Sequence, residues 1–134
     1  MSKPTFVCLH GGWHGPETWE KVTSQLTEYG YDCVCPKLPA TGAEKPKEQD
    51  GFAEDVKMIR LTVEKLANEG KDVIVVMHGL AGIAGGEALE KLDKKSRLER
   101  GEKGGVVRLV YIMAFLFPEG SYVCSEDSTP SGND

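Results

Sequence analysis

The sequence predicts an α/β fold, a three-layer sandwich in which a mostly parallel sheet of about four strands carries helices on both faces. Short apolar runs alternate along the chain with segments whose apolar residues recur every three or four positions, which indicates alternating strands and helices. One run, Val73–Met77, is uninterrupted and β-branched, as expected of a central parallel strand covered on both sides. The alternation itself favours a parallel sheet, because each parallel connection needs a crossover.

The first third of the chain is predicted to form two strands and a helix. Thr5–Leu9 is a short apolar run that ends in glycines, which indicates a buried strand entering a loop. The helix after it ends at Gly30, and its apolar residues recur at helical spacing: Pro16, Trp19, Val22 and Leu26. Tyr31–Cys35 is predicted as the second strand, since prolines at positions 36 and 39 close it.

The remainder alternates in the same way. The second helix ends at Gly70 and carries one apolar stripe, which consists of Phe52, Val56, Ile59, Val63 and Leu66. A third helix is predicted from Leu80 to Leu92. The mixed charges between positions 91 and 103 are interpreted as a solvated helix end and loop. The longest apolar run, Val106–Phe117, is predicted as the fourth strand.

Size and charge limit the classes of function. The chain has 134 residues, which fits one domain, and a formal net charge of −5. We expect no nucleic-acid partner, because phosphate binding needs a basic surface. No apolar run resembles a secretory signal or could span a membrane, so we expect a cytoplasmic protein without a membrane partner.

The four cysteines, at positions 8, 33, 35 and 124, lack the spacing of a metal site. Cys33 and Cys35 flank one residue of a predicted strand, so their side chains share a face and should not bridge each other. We expect buried, reduced thiols. No metal and no cofactor are expected.

The most informative stretch is Ile74–Gly82, a buried strand that runs into a glycine turn and then a helix. This is the setting of a nucleophile elbow, where a serine, cysteine or aspartate stands on a strained strand-to-helix turn. The usual pattern is small-x-nucleophile-x-Gly. Here the spacing is kept, but Gly79 occupies the nucleophile position.

Five segments together resemble the α/β-hydrolase fold, and within it the small-molecule esterase and hydroxynitrile-lyase-like branch. They are His10–Pro16, Trp19, Leu38–Gly42, Val75–Gly82 and Val110–Phe115. The resemblance covers nearly the whole chain and corresponds to the N-terminal half of the family's fold. The resemblance implies that residues 1–118 form this half of the core. It also implies that residues 119–134 are a polar tail or the start of a lid, without regular structure.

The resemblance also implies roles for site residues. Gly12 and Leu80 match positions whose backbone amides form the oxyanion hole, where they stabilise the negative oxygen of a carbonyl under attack. Trp13 and His14 match residues that shape and brace the same loop, and with His78 they are expected to line a substrate pocket. For His14 and His78 we favour a structural role over proton transfer, because neither has a nucleophile as partner.

Two features depart from the family's pattern. Gly79 has no side chain, so no acyl-enzyme can form there. All three histidines precede the elbow, at positions 10, 14 and 78, whereas the family's acid and histidine follow it. Glu126 and Asp127 follow the fourth strand, where some relatives keep an acid, but we do not assign them a catalytic role.

Four functions stay open at this point. The first is hydrolase or lyase chemistry on a small ester, lactone or cyanohydrin-like compound. The second is a non-hydrolytic enzyme, such as a decarboxylase, dehydratase, condensing or cyclising enzyme, that uses the oxyanion hole. The third is a phosphate-binding module at Gly79–Gly85, although G-x-x-G-x-x-G is not the dinucleotide pattern. The fourth is a non-catalytic protein that binds a small molecule.

The family's strand order places the strands side by side as second, first, third and fourth. Val106–Phe117 would then be an edge strand whose only charge is Arg108, with no proline before Pro118. Little protects such an edge from pairing with another chain. We therefore expect either a second chain that completes the sheet or self-association along Val106–Phe117.

Overall fold

The computed structural model describes residues 3–11, 15–39, 53–79 and 81–113. Within these ranges a short 3-10 helix spans Pro16–Trp19. The other elements, in chain order, are β1 (Thr5–Leu9), α1 (Glu20–Glu28), β2 (Cys33–Val34), α2 (Ala53–Asn68), β3 (Asp72–His78), α3 (Ala81–Ala88), α4 (Lys94–Glu99) and β4 (Gly105–Ile112). None of the helices in the described ranges is long and apolar enough to cross a bilayer.

The four strands form one parallel sheet in the order β2-β1-β3-β4, which confirms the predicted fold class and strand order. β1 pairs with β3 without irregularity, from Thr5 opposite Val73 to Leu9 opposite Met77. β3 and β4 shift register once, because Val107 is an extra residue between the partners of Val73 and Ile74. Such a bulge redirects the side chains that follow it.

Both outer strands are shorter than predicted. The second strand was expected over Tyr31–Cys35, but Tyr31 donates its backbone N–H to Leu26 at the end of α1 and so is held by the helix. The fourth strand was expected to reach Phe117. It ends at Ile112, which pairs with the last residue of β3, and the next residue, Met113, has a φ of 43° that no strand can hold.

The larger core lies between the sheet and helices α2 and α3. Alternate residues of the strands face it, as the two-residue period of a strand requires. The helical stripe predicted for α2 meets them, because Ile59, Val63 and Leu66 are all buried. Phe52, the first member of that stripe, lies outside the described residues. α2 ends as predicted, with Gly70 at a φ of 84°.

The opposite face of the sheet carries a smaller cluster. Its buried members are Cys8, Trp19 and Val76. α1 has no buried residue of its own, and Val22 is 44% exposed. Of the predicted apolar stripe only Trp19 is buried. The helix layer on this face is therefore thin, although helices do cover both faces as predicted.

The third helix is shorter than predicted, and the charged segment after it is a helix, not a loop. α3 ends at Ala88, and Lys91 takes a φ of 61° in the turn that follows. α4 then begins after Asp93, whose carboxylate accepts a hydrogen bond from the backbone N–H of Ser96 at 3.0 Å. This N-cap is the sequence signal that our interpretation missed.

Arg97 of α4 contradicts the expectation that this segment is solvated, because its side chain is only 3% exposed. Its guanidinium donates to the backbone carbonyls of Lys103 and Gly104 and to Oδ1 of Asn68 at the end of α2. It also forms an ion pair of 3.0 Å with Glu102. The buried guanidinium thus links α4 to the end of α2 and to the two residues that precede β4.

We expect Arg97→Ala to lower the free energy of unfolding by about 2–4 kcal/mol, because several carbonyl oxygens lose a charged donor. Urea denaturation of the purified chain measures it. Arg100→Ala is the matched control: Arg100 pairs with the same carboxylate at 3.1 Å but is exposed, so the loss should stay below about 1 kcal/mol. Equal losses for the two variants would contradict the role given to Arg97.

Candidate functional site

The turn between β3 and α3 is the centre of the candidate site. β3 ends at His78, Gly79 has a φ of 59°, and α3 begins at Ala81. The backbone N–H of Gly82 donates to the carbonyl oxygen of Gly79 at 3.2 Å, which closes the turn. Glycine adopts this left-handed conformation without the steric cost that other residues bear. The backbone therefore makes the sharp strand-to-helix turn predicted from the sequence.

Gly79 lies directly against the end of β1. An ideal Cβ on Gly79 would stand 3.5 Å from the Cα of Gly11, and within the described residues no other atom comes within 4 Å. That distance is ordinary van der Waals contact, so the described surroundings leave room for a small side chain. The loop after β1 and the turn after β3 thus meet at two glycines.

The predicted oxyanion-hole residues follow these glycines directly. Gly12 comes after Gly11, and Leu80 comes after Gly79, but both lie outside the described residues. The contact between Gly11 and Gly79 is what two converging amides would require. The assignment of Gly12 and Leu80 stays a prediction. Trp13 and His14 also lie outside the described residues.

His78 contacts the loop after β1 from the side of β3. A Cβ on Gly11 would stand 2.8 Å from Nδ1 of His78, so the imidazole occupies the space that any side chain at position 11 would need. The ring of Trp19 meets His78 edge to face, with 6.5 Å between ring centroids. His78 is therefore partly buried between Gly11 and Trp19, and its place in a substrate pocket stays a prediction.

His10 has a definite role that sequence reasoning did not assign. It is fully buried, and its Nε2 accepts a hydrogen bond from the backbone N–H of Leu38 at 2.9 Å. Because Nε2 accepts, Nδ1 carries the proton, and Nδ1 lies 3.0 Å from the carbonyl oxygen of Gly11. His10 thus ties the loop after β1 to the loop after β2. Both of its ring nitrogens are occupied, so it is not a general base in this state.

The glycines of α3 are explained by close packing. A Cβ on Gly85 would stand 2.5 Å from Sδ of Met77 and 3.6 Å from Cδ1 of Leu9, so the helix could not approach the sheet with any larger residue. This accounts for one glycine of the G-x-x-G-x-x-G spacing without a bound phosphate. In the described ranges no three histidine, cysteine or acidic side chains gather as metal ligands would. Glu126 and Asp127 lie outside those ranges.

A parallel sheet of order β2-β1-β3-β4 with a left-handed turn after its central strand is the architecture of an α/β hydrolase. The family comparison agrees. The chain belongs to the alpha/beta hydrolase family, whose model matches residues 6–131.

Two fungal proteins are similar to the chain. The alpha/beta hydrolase nvfD of Aspergillus novofumigatus is 36% identical over 120 residues, which are 90% of this chain and 46% of that protein. The probable hydrolase R7 of a Phoma species is 34% identical over 117 residues, which are 87% of this chain and 44% of that protein. The chain therefore spans somewhat less than half the length of these relatives.

Solved structures share the fold. Tomato methylketone synthase I in complex with 2-tridecanone superimposes with a TM-score of 0.68 at 19% identity, over 89% of this chain and 43% of that one. An H243A variant of the same enzyme, in complex with beta-ketoheptanoate, superimposes with a TM-score of 0.65 at 18% identity. At these identities the similarity establishes the architecture and its strand order.

A pair of glycine substitutions tests the geometry of the turn. Gly79→Ala should lower the free energy of unfolding by only about 1–2 kcal/mol, the cost of a left-handed alanine, because its Cβ would make only ordinary contact with the described residues. Gly104 has a similar φ of 67°, but a Cβ there would clash with the carbonyl oxygen of Ala67. Gly104→Ala should therefore cost about 3 kcal/mol or more. Urea denaturation measures both, and a larger loss for Gly79→Ala would show that the site has no room.

Proposed function

We propose that this chain forms the N-terminal half of an α/β-hydrolase-family site that binds or acts on a small organic ester, lactone or carbonyl compound. In this site Gly79 stands where the nucleophile would be, and the amides of Gly12 and Leu80 face the substrate oxygen. The missing acid and histidine belong to polypeptide outside this chain. We also place the protein in the cytoplasm, since its described cysteines are free thiols.

The observation that carries the proposal is the left-handed Gly79, whose ideal Cβ would meet, among the described residues, only the Cα of Gly11 in the loop after β1. A turn of this kind serves to present one residue above the sheet. Here that residue has no nucleophilic atom. The site can therefore hold and polarise a carbonyl group, but it cannot form a covalent acyl-enzyme at Gly79.

The second candidate function is non-hydrolytic catalysis, and the same glycine favours it. A β-keto acid whose keto oxygen faces two amides would lose carbon dioxide by breaking the bond between its α-carbon and carboxylate. The electron pair of that bond would move onto the oxygen as an enolate, which the amides stabilise until a proton from solvent adds to the α-carbon. No nucleophile is needed. Binding of beta-ketoheptanoate by a methylketone synthase I variant makes that compound a reasonable probe.

We expect no burst of p-nitrophenol when the chain is mixed with excess p-nitrophenyl acetate, because a burst requires an acyl-enzyme. Gly79→Ser should raise ester hydrolysis by less than about tenfold, since the base and the acid are also missing. Stopped-flow absorbance measures both. A stoichiometric burst from the unsubstituted chain would overturn the proposal, and strong rescue by Gly79→Ser would show that a base is supplied from elsewhere.

The response of the protein to beta-ketoheptanoate distinguishes a decarboxylase from a binding protein. Release of carbon dioxide and a methyl ketone, without water uptake, supports the decarboxylase, and it should be lost in Gly79→Leu, whose side chain fills the site. A rise in unfolding temperature without turnover supports a binding protein. Gly86→Ala is the matched control, because a Cβ on Gly86 meets no described atom within 4 Å and the residue is exposed on α3.

We further propose that the free edge of β4 is covered by the polypeptide that carries the second half of the fold. Four residues of β4 are large, apolar and between 37% and 46% exposed: Val107, Leu109, Tyr111 and Ile112. Beside them lies an apolar groove of about 360 Å³, lined partly by Leu89 and Val106. An unpaired parallel strand of this composition seldom faces water. The relatives have the extra length to cover it, since the chain spans 46% and 44% of two of them.

The isolated 134-residue chain should therefore self-associate, because its β4 edge has no cover among the described residues. Sedimentation velocity should show dimers or larger species that Leu109→Lys reduces. Leu61→Lys, on the 57% exposed Leu61 of α2, is the control and should leave the distribution unchanged. Addition of the second half of the fold should convert the oligomers to a one-to-one complex. A stable monomer with cooperative unfolding would contradict the proposal.

A further inference from the structure

Cys8 of β1 and Cys35, the residue directly after β2, pack into the same cluster on one face of the sheet. β1 and β2 pair with Phe6 opposite Cys33 and Val7 opposite Val34. Extending this register by one residue beyond the end of β2 would set Cys8 opposite Cys35. Neighbouring strands are about 4.8 Å apart, and disulfides join Cα atoms about 4.4–6.8 Å apart. Both side chains also belong to the same small cluster under the sheet. The two thiols are thus within reach of one another.

The two thiols differ in ionisation. The S–H of Cys8 donates a hydrogen bond to Cys35, which lowers the pKa of Cys35. The same hydrogen bond, together with burial, raises the pKa of Cys8. Burial and the nearby Cys35 raise the pKa of Cys33. Cys35 is therefore the first of the three to become a thiolate, and it is only half-buried, whereas Cys8 is fully buried.

We propose that Cys8 and Cys35 form an intramolecular disulfide when the protein meets hydrogen peroxide. Cys35 is the thiol that reacts with the peroxide, and Cys8 resolves the product. Cys33 takes no part, because it faces Phe6 in the register and shares a strand face with Cys35.

The reaction balances in two steps. The thiolate sulfur of Cys35 attacks one peroxide oxygen, the O–O bond breaks, and the hydroxide that leaves becomes water, so that a sulfenic acid remains. The sulfur of Cys8 then attacks the sulfur of Cys35, the S–O bond breaks, and the leaving oxygen departs as water with the proton from Cys8. Two thiols lose two electrons, and one peroxide becomes two waters. Formation of the sulfenic acid removes the negative charge that held the proton on Cys8.

The bridge would form directly below the candidate site. Cys8 precedes His10 by two residues and Cys35 precedes Leu38 by three, and His10 already bonds the backbone of Leu38. The disulfide adds a covalent link between the same two segments. If the proposed function is right, oxidation fixes the spacing of the loop that begins at Gly11. Formation of the bridge itself does not depend on that function.

Peptide mapping tests the bridge. The full 134-residue chain is treated with hydrogen peroxide at neutral pH, alkylated with iodoacetamide and digested with trypsin without reductant. Trypsin releases Cys8 in peptide 1–21 and the other two cysteines of this region in peptide 22–37. We expect these two peptides to be linked in the unsubstituted chain and in Cys33→Ser, and unlinked in Cys35→Ser. Cys33→Ser and Cys35→Ser are matched, because both residues are half-buried on one face of the same segment.

A second measurement keeps the test independent of folding defects. In Cys8→Ala, Cys35 should accumulate as a sulfenic acid that dimedone captures, since its resolving thiol is gone. Below pH 9 the unoxidised protein should also alkylate faster at Cys35 than at Cys33, because a lowered pKa leaves more thiolate. A link that survives in Cys35→Ser, a link from Cys8 to Cys124, or no link in any variant would overturn the proposal.

Discussion

The pairing of β1 with β3 is the constraint on which the rest of the structure depends. Five successive residue pairs hold the two strands in register, and the register fixes where both strands end. The loop that begins at Gly11 therefore meets the turn at Gly79. Each glycine is needed for its own reason: Gly11 leaves space for the ring of His78, and Gly79 takes the left-handed conformation. A slip by one residue would turn every core side chain of one strand to the wrong face and separate the two glycines.

An element could be predicted from the sequence where its local apolar pattern matches the surface that it buries. The stripe of α2 and the continuous apolar run of β3 were predicted because their periodicity matches the surfaces they bury. α4 was missed because its local signal, the N-cap Asp93, was overlooked and because much of its stability comes from residues distant in the chain. The guanidinium of Arg97 binds Asn68 and the carbonyl of Gly104, and a pattern of alternating charges does not show that one of them is buried.

In the candidate site, too, the local features could be predicted, whereas those that depend on residues distant in the chain could not. The position of Gly79 follows from spacing alone, since a strand, a glycine turn and a helix are all local. The role of His10 could not be predicted, because its partner Leu38 is brought near only by the pairing of β1 and β2. The neighbourhood of Cys8 and Cys35 was missed for the same reason. Considering one strand alone gave the correct face for Cys35, but not the thiol across from it.

Burial along β4 links the free edge to the candidate site. Val106, near the start of the strand, is only 7% exposed, whereas Leu109 and Ile112 are more than 40% exposed. Among the described residues, the cover of β4 ends at Val106, and the strand is largely exposed from Val107, which is 46% exposed, to Ile112. Ile112 pairs with His78, one residue before Gly79, so one end of this exposed stretch borders the site. The polypeptide that we propose to cover this apolar surface as far as Ile112 would also lie close to Gly79. Under that proposal, completing the sheet and completing the site would be one physical event, driven by burial of the same side chains.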